Sequence, residues 1–144
     1  MSEIQRVQVF GKLSPLAYKA IERATVFCKL RGTPYVEIVH WIHQVLQGQD
    51  SDLHRAIKQF NIEPARLAAD VTAALDRLPR GSTSLTDLSG HLDEAVREGW
   101  VYGSLMFNSP KVRWGHLLIG ILKTRHLKAE LLGISTEFEK LSLE

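Results

Sequence analysis

Two histidines one helical turn apart, His40 and His43 in "VEIVHWIHQVLQ" (residues 36–47), are the first residues whose type and spacing could do chemistry. On a helix they would share one side and could ligate a zinc ion, which takes three or four protein ligands from Cys, His and carboxylates. No further ligand is at hand in the pattern: HExxH and paired CxxC motifs are absent, and Cys28 is the single cysteine. The alternative is architectural, with His40 hydrogen-bonding the loop ahead of its own helix. A second stretch, "GHLLIGILKT" (115–124), resembles the phosphate-binding GxxxxGK[ST] loop, but Ile121 stands where the lysine is required and Lys123-Thr124 come two residues late. Such a loop also needs free backbone amides after a strand, and these glycines lie in an apolar, helix-like run. Asp87 with Asp93, or Glu94 with Glu98, have the spacings of ordinary surface acids. No GxSxG occurs, and nothing places a base beside Cys28. The sequence therefore gives no argument for catalysis or for a metal site.

The elements around these residues are helices. Ser14 and Pro15 predict an N-cap and first helical position, Gly32 a stop, with Leu16, Ala17, Ala20, Ile21, Ala24, Phe27 and Cys28 at amphipathic spacing between them. The "VEIVHWIHQVL" run is a second helix, "DLHRAIKQF" a third capped by Asp50 or Ser51, and "EPARLAADVTAALDRL" a fourth between Pro64 and Pro79. Residues 80–84, "RGSTS", read as a linker. The series then restarts. An offset of 75 carries Leu13-Ser14 onto Leu88-Ser89, Ala20-Ile21 onto Ala95-Val96, Ala24 onto Gly99, Cys28 onto Gly103 and Leu30 onto Leu105. An offset of 76 carries Val36 onto Val112 and His40 onto His116, whereas His43 falls on Ile119. Leu53 and Ile57 find counterparts in Leu127 and Leu131, and "NIEPARL" in "GISTEFEKL". An internal duplication of this length implies an all-α domain. It consists of repeat one (13–79), the linker, repeat two (85–141) and an N-terminal extension (1–12). The two similar four-helix units pack with pseudo-two-fold symmetry, and the chain is expected to end inside a last helix as a piece of something longer.

Composition sets the outer bounds. A chain of 144 residues with 44% hydrophobic and 24% charged residues forms one globular domain with its own core. The formal charge of +2, with no run of five basic residues, speaks against nucleic acid as a partner. A lone cysteine and the absence of a signal-like or membrane-length apolar segment suggest a cytoplasmic protein with no membrane partner.

Two features remain for function. Small residues (Ala17, Ala20, Ala24, and in the second copy Ala95, Gly99, Gly103) line one face of the first helix of each repeat. They permit close approach, either between the two repeats or by a partner's amphipathic helix. The extension "EIQRVQVFGK" places Ile4, Val7 and Phe10 at spacing three and has no counterpart ahead of repeat two. It is either a flap over the core or the specific part of a binding surface.

The paired "LS" caps and the helices beginning around His40 ("WIHQVLQ") and His116 ("LLIGILK") resemble the Clp N-terminal repeat domain, which precedes the ATPase rings of ClpA, ClpB and ClpC unfoldases. That family's usual Thr-x-Glu-His is altered here, Val39 and Gly115 replacing the Glu, which marks a divergent branch. "FGKLSPLAYKAIERATVFCKLRGTPYVEIVHWIHQVLQ", "DSDLHR", "FNIEPARL", "ALDRLPRGSTS" and "GWVYGSLMF" are similar, over essentially the whole chain, to the N-terminal domain of the ClpV (TssH) family of type VI secretion. The resemblance implies a recognition domain that binds the N-terminal helix of the large sheath subunit (TssC, or VipB), so that the contracted sheath is disassembled and recycled, with room for an accessory adaptor. It implies that ATP and Mg²⁺ binding, and hexamer formation, belong to AAA+ modules absent from this chain, and that this domain needs no cofactor. It further implies a hydrophobic groove built from an extra N-terminal helix and the first repeat helix, which carries over to Ile4, Val7, Phe10, Leu13, Leu16, Ala17, Ala20 and Ala24. The alternative within the same scaffold is a general Clp N-domain that docks an adaptor or unfolded clients.

Overall fold

Ser14 caps the first long helix as its type dictates: its hydroxyl accepts from the Ala17 N–H at 3.4 Å, with Pro15 at the first helical position. The helix ends where Gly32 takes the left-handed conformation (φ 70°) that a residue without Cβ adopts freely, its N–H returning to the Cys28 and Lys29 carbonyls. The computed structural model describes residues 6–48, 50–78, 81 and 87–141, with only the backbone of Arg6 and Val7. Of the expected linker only Gly81 is among them, and Ile4, Pro79 and the last three residues lie outside.

The order is α1 (Arg6–Phe10), α2 (Pro15–Arg31), β1 (Tyr35–Val36), α3 (Ile38–Leu46), α4 (Asp52–Gln59), α5 (Pro64–Asp76), β2 (Asp87–Leu88), α6 (Gly90–Met106), α7 (Trp114–Lys123), α8 (Arg125–Ile134) and a 3-10 turn (Thr136–Lys140). The duplication is visible in matched lengths, α2 and α6 being 17 residues each. Ser89 caps α6 as Ser14 caps α2, and of the two candidates for α4 it is Ser51 whose hydroxyl accepts the His54 N–H, at 3.1 Å. The fourth element of repeat two is only the 3-10 turn, where α5 has 13 residues. Ser135 caps it and Phe138, 1% exposed, anchors it.

The repeats are joined by a feature that no hydrophobic alternation announced. β1 pairs in parallel with β2, Val36 opposite Leu88, and Leu13 forms an isolated parallel bridge with Val112. The pairing is crossed: the residue before the first helix of each repeat meets the residue before the second helix of the other. Ser14 N–H donates to Val112 O at 2.8 Å and Ser89 N–H to Val36 O at 3.0 Å, the same bond on either side of the pseudo-two-fold axis. Trp41 and Trp114 meet edge to face with ring centroids 4.8 Å apart, both buried, and the Trp41 Nε1–H donates to Ala17 O at 2.9 Å.

The small-residue stripes pack within each repeat rather than between repeats. Ala17, Ala20 and Ala24 are 0–3% exposed on α2, which packs chiefly on α3. In repeat two the approach is closer. A Cβ on Gly99 would lie 2.8 Å from Leu117 Cδ2, and one on Gly103 2.9 Å from His116 Nδ1. On α7, a Cβ on Gly120 would lie 2.8 Å from the Glu98 carbonyl carbon.

Gly120→Ala gains about 1 kcal/mol of helix propensity but presses on backbone that cannot give, so urea unfolding should show a net loss of about 1–2 kcal/mol. Gly133, on α8, has nothing within 4 Å of an added Cβ; Gly133→Ala should raise stability by about 0.5 kcal/mol. Equal effects at the two sites would contradict the close α6–α7 approach.

Candidate functional site

His40 is the third residue of α3, and the Glu37 N–H donates to its Nδ1 at 2.8 Å, which leaves the ring proton on Nε2. His116 does the same for α7, taking the Arg113 N–H at 3.1 Å. Each imidazole satisfies one backbone donor that a helix start leaves without a partner, and each leans on an aromatic ring, Phe27 at 6.1 Å for His40 and Phe107 at 5.3 Å for His116. Burial, helped by Arg31 and His43, pushes the His40 pKa down to about 4, and burial likewise lowers His116 and His43. His43 lies beside Phe27 (5.2 Å) with Gln44 and Gln47 at its ring nitrogens. The pair is architectural, one member shared between the repeats and one not.

The lone thiol and the glycine-rich stretch are similarly engaged. Burial, followed by the negative charge of Glu37, pushes the Cys28 thiol up to about 12, so it holds its proton and is a poor nucleophile. Gly115 and Gly120 sit inside α7, and the Gly115 N–H donates to Asp52 at 3.1 Å, so these amides do not cradle a phosphate.

Asp52, at the start of α4, also accepts from Arg113 at 2.7 Å and contacts Arg55, and so ties repeat one to the N-terminus of α7. Burial pushes its carboxyl up, but the hydrogen bonds from Arg55, Gly115 and Arg113 outweigh this and hold its pKa below the usual range. A second tie runs the other way. Glu137 accepts the Glu63 N–H that opens α5, at 2.9 Å, and the Ser135 hydroxyl donates to Asp70 at 2.5 Å. Lys140 at 2.7 Å, and then the Glu63 amide, keep the Glu137 pKa low. No sequence pattern marks these pairs, because their partners lie in different repeats.

The expected groove residues fall into three groups. Ile4 and the Val7 side chain are outside the described residues. Phe10, Leu13, Ala17, Ala20 and Ala24 are buried, and α1 packs on α6 of repeat two, with Lys12 Nζ 5.2 Å over the Trp100 ring and Lys111 Nζ donating to Gly11 O. Leu16 is exposed at 44%.

Leu16 opens an outward stripe that sequence reasoning missed. On α2 the exposed residues Leu16, Lys19, Arg23, Val26 and Leu30 follow helical spacing along one face, and Leu30 is 83% exposed. The offset of 75 maps them onto His91, Glu94, Glu98, Val101 and Leu105 of α6, where Leu105 is 80% exposed. The apolar pair recurs while the charges reverse. The signal was present in the matched Leu30 and Leu105, which read as shared scaffold but point away from the core.

No family model matches the chain. It is 68% identical over all 144 residues to the AAA+ ATPase ClpV1 of Pseudomonas aeruginosa and spans 16% of that protein's length. A solved structure from a study of the coevolution of the ATPase ClpV, the TssB–TssC sheath and the accessory HsiE protein superposes with a TM-score of 0.96 at 68% identity, covering 99% of this chain and 88% of that one. A complex of a ClpV N-domain with a VipB peptide shares the fold at a TM-score of 0.77 and 22% identity, over 97% and 89% of the two chains.

The histidine caps set a pH dependence. Below pH 6.5 the unfolded chain protonates His40, whereas the folded chain resists until about pH 4. Stability from this group is therefore full above pH 6.5 and is lost as pH falls toward 4, by about 3 kcal/mol. Urea titrations at stepped pH should show a shallower loss over that window for His40→Ala than for the parent, from a lower starting stability. Parallel curves would show that the buried imidazole is not what titrates.

Proposed function

Because the chain belongs to the ClpV N-terminal domain family, matching a solved relative at 68% identity over 88% of its length, we propose that it is the substrate-recognition domain of a type VI secretion AAA+ ATPase, binding the N-terminal helix of the large sheath subunit (TssC, or VipB). ATP and Mg²⁺ binding, hexamer assembly and the threading that disassembles a contracted sheath belong, in this reading, to AAA+ modules beyond this chain. The domain itself binds without catalysing. That fits the engagement of His40 and His116 in helix caps, of the Cys28 thiol in the core and of the Gly115 amide with Asp52. A cytoplasmic setting belongs to the same proposal; no helix among the described residues is long and apolar enough to cross a membrane.

The observation that carries the site is the difference between the repeats. The groove is formed by α1 and the outward face of α2, where Leu16, Val26 and Leu30 offer apolar contact and Lys19 and Arg23 offer positive charge. An amphipathic helix with acidic flanks fits that face, and the acidic copy on α6 would repel it. Of the groove residues proposed from the resemblance, Leu16 is the exposed contact position, while Ile4 and the Val7 side chain lie outside the described residues. Phe10 and Leu13 fix α1 in place, and Ala17, Ala20 and Ala24 set how closely α2 lies on α3. Because those alanines are buried, substitutions there would disturb folding before binding.

Anisotropy titrations with a labelled N-terminal sheath peptide should saturate, and Leu16→Glu, Arg23→Glu or removal of residues 1–12 should each weaken binding at least about tenfold. Val101→Glu should leave it unchanged. Binding indifferent to both Leu16→Glu and the truncation would remove the groove. A preference for unrelated unfolded chains over the sheath peptide would favour a general client-docking domain instead.

A further inference from the structure

The two seams between the repeats are related by the pseudo-two-fold axis but closed by different chemistry. At one seam Asp52 of α4 meets Arg113 and Gly115 at the start of α7. At the other, the repeat offsets put His126 in the place of Asp52, Glu37 in the place of Arg113 and Val39 in the place of Gly115. Here two carboxylates, Glu37 ahead of α3 and Glu130 on α8, converge with the His91 imidazole on α6. One ligand atom from each lies within 4.8 Å of the others, and His91 Nδ1 is 3.4 Å from Glu130 Oε2. His126, in contact with Glu94, has its ring 6.0 Å from that of His91. A cavity of about 390 Å³ opens beside them, lined by Glu37, His126, Glu130 and Arg77 among others.

We propose that Glu37, His91 and Glu130 form a binding site for a divalent borderline metal ion of the zinc class, which clamps repeat one to repeat two. The donor set of one imidazole and two carboxylates is a zinc-type set, and bonds of about 2.0–2.2 Å place neighbouring donors about 3.4 Å apart. Small side-chain adjustments from the separations present bring the three atoms to that spacing. The ion would neutralise two carboxylates that face each other where the sister seam has a guanidinium. The adjoining cavity leaves room for water to complete the coordination, and Glu94 holds His126 as an outer neighbour. Glu37 and Glu130 are half-buried and His91 is exposed, and their backbone positions are held by the fold, so only side chains need to move to receive the ion. It is independent of the peptide-binding face.

Calorimetric titration of the chelator-stripped protein with ZnCl₂ should give one saturable site per chain, and zinc should raise the melting temperature. Mg²⁺ and Ca²⁺, which do not favour imidazole, should not compete. His91→Ala and Glu130→Gln should each weaken zinc binding about tenfold or more and abolish the thermal shift, while His43→Ala leaves both intact. Circular dichroism without metal confirms that each variant is folded, and if His91→Ala is not, Glu130→Gln decides. Absence of a one-to-one site, unchanged affinity in a folded His91 or Glu130 variant, equal competition by Mg²⁺, or loss of binding in His43→Ala would each overturn the assignment.

Discussion

The crossed pairing of four short segments is the constraint on which the rest depends. Leu13 bridges Val112 and Val36 pairs with Leu88, so each repeat fixes the start of a helix in the other. Backbone donors and acceptors buried in this seam must be satisfied, and the two strand-like contacts do so on both sides of one axis. Four helices, α2, α3, α6 and α7, begin within two residues of these segments. Their directions, and the meeting of Trp41 with Trp114 beneath them, follow from the pairing. Neither repeat can form its seam alone, which accounts for two copies folding as one domain.

With the frame set symmetrically, the two repeats differ at their surfaces and at one of their two seams. His40 and His116 close equivalent helix starts, and Ser14 and Ser89 cap equivalent helices. The outward faces of α2 and α6 keep an apolar pair and reverse their charge. The Asp52 seam is an ion clamp, and its mate is a ring of carboxylates and histidines. Helix α1 stands ahead of repeat one and packs across the axis on α6 of repeat two, and no helix is described at the matching place ahead of α6 among the described residues.

Much of this was legible in the sequence. Ser, Pro and Gly at helix ends gave the boundaries of α2 because each residue type acts locally, and the offsets of 75 and 76 exposed the duplication because the core positions obey helical periodicity. The architectural role of His40, shared with His116, followed from that duplication. What stayed hidden depends on partners distant in the chain. Two-residue strands carry no alternation. The Asp52–Gly115 and Glu137–Glu63 bonds join different repeats. The partner of the alanine stripe, α3 of the same repeat, could not be told from the sister repeat by spacing alone. The reduction of the fourth helix of repeat two to a 3-10 turn turns on how Ser135 and Phe138 are held against repeat one, which "GISTEFEKL" does not state.

We place recognition where the repeats differ, on α1 and the outward face of α2. Amide hydrogen exchange with and without a saturating sheath peptide locates the contact directly. Added protection concentrated in α1 and along α2 is the expected result; protection centred on Val101–Phe107 of α6 would contradict it.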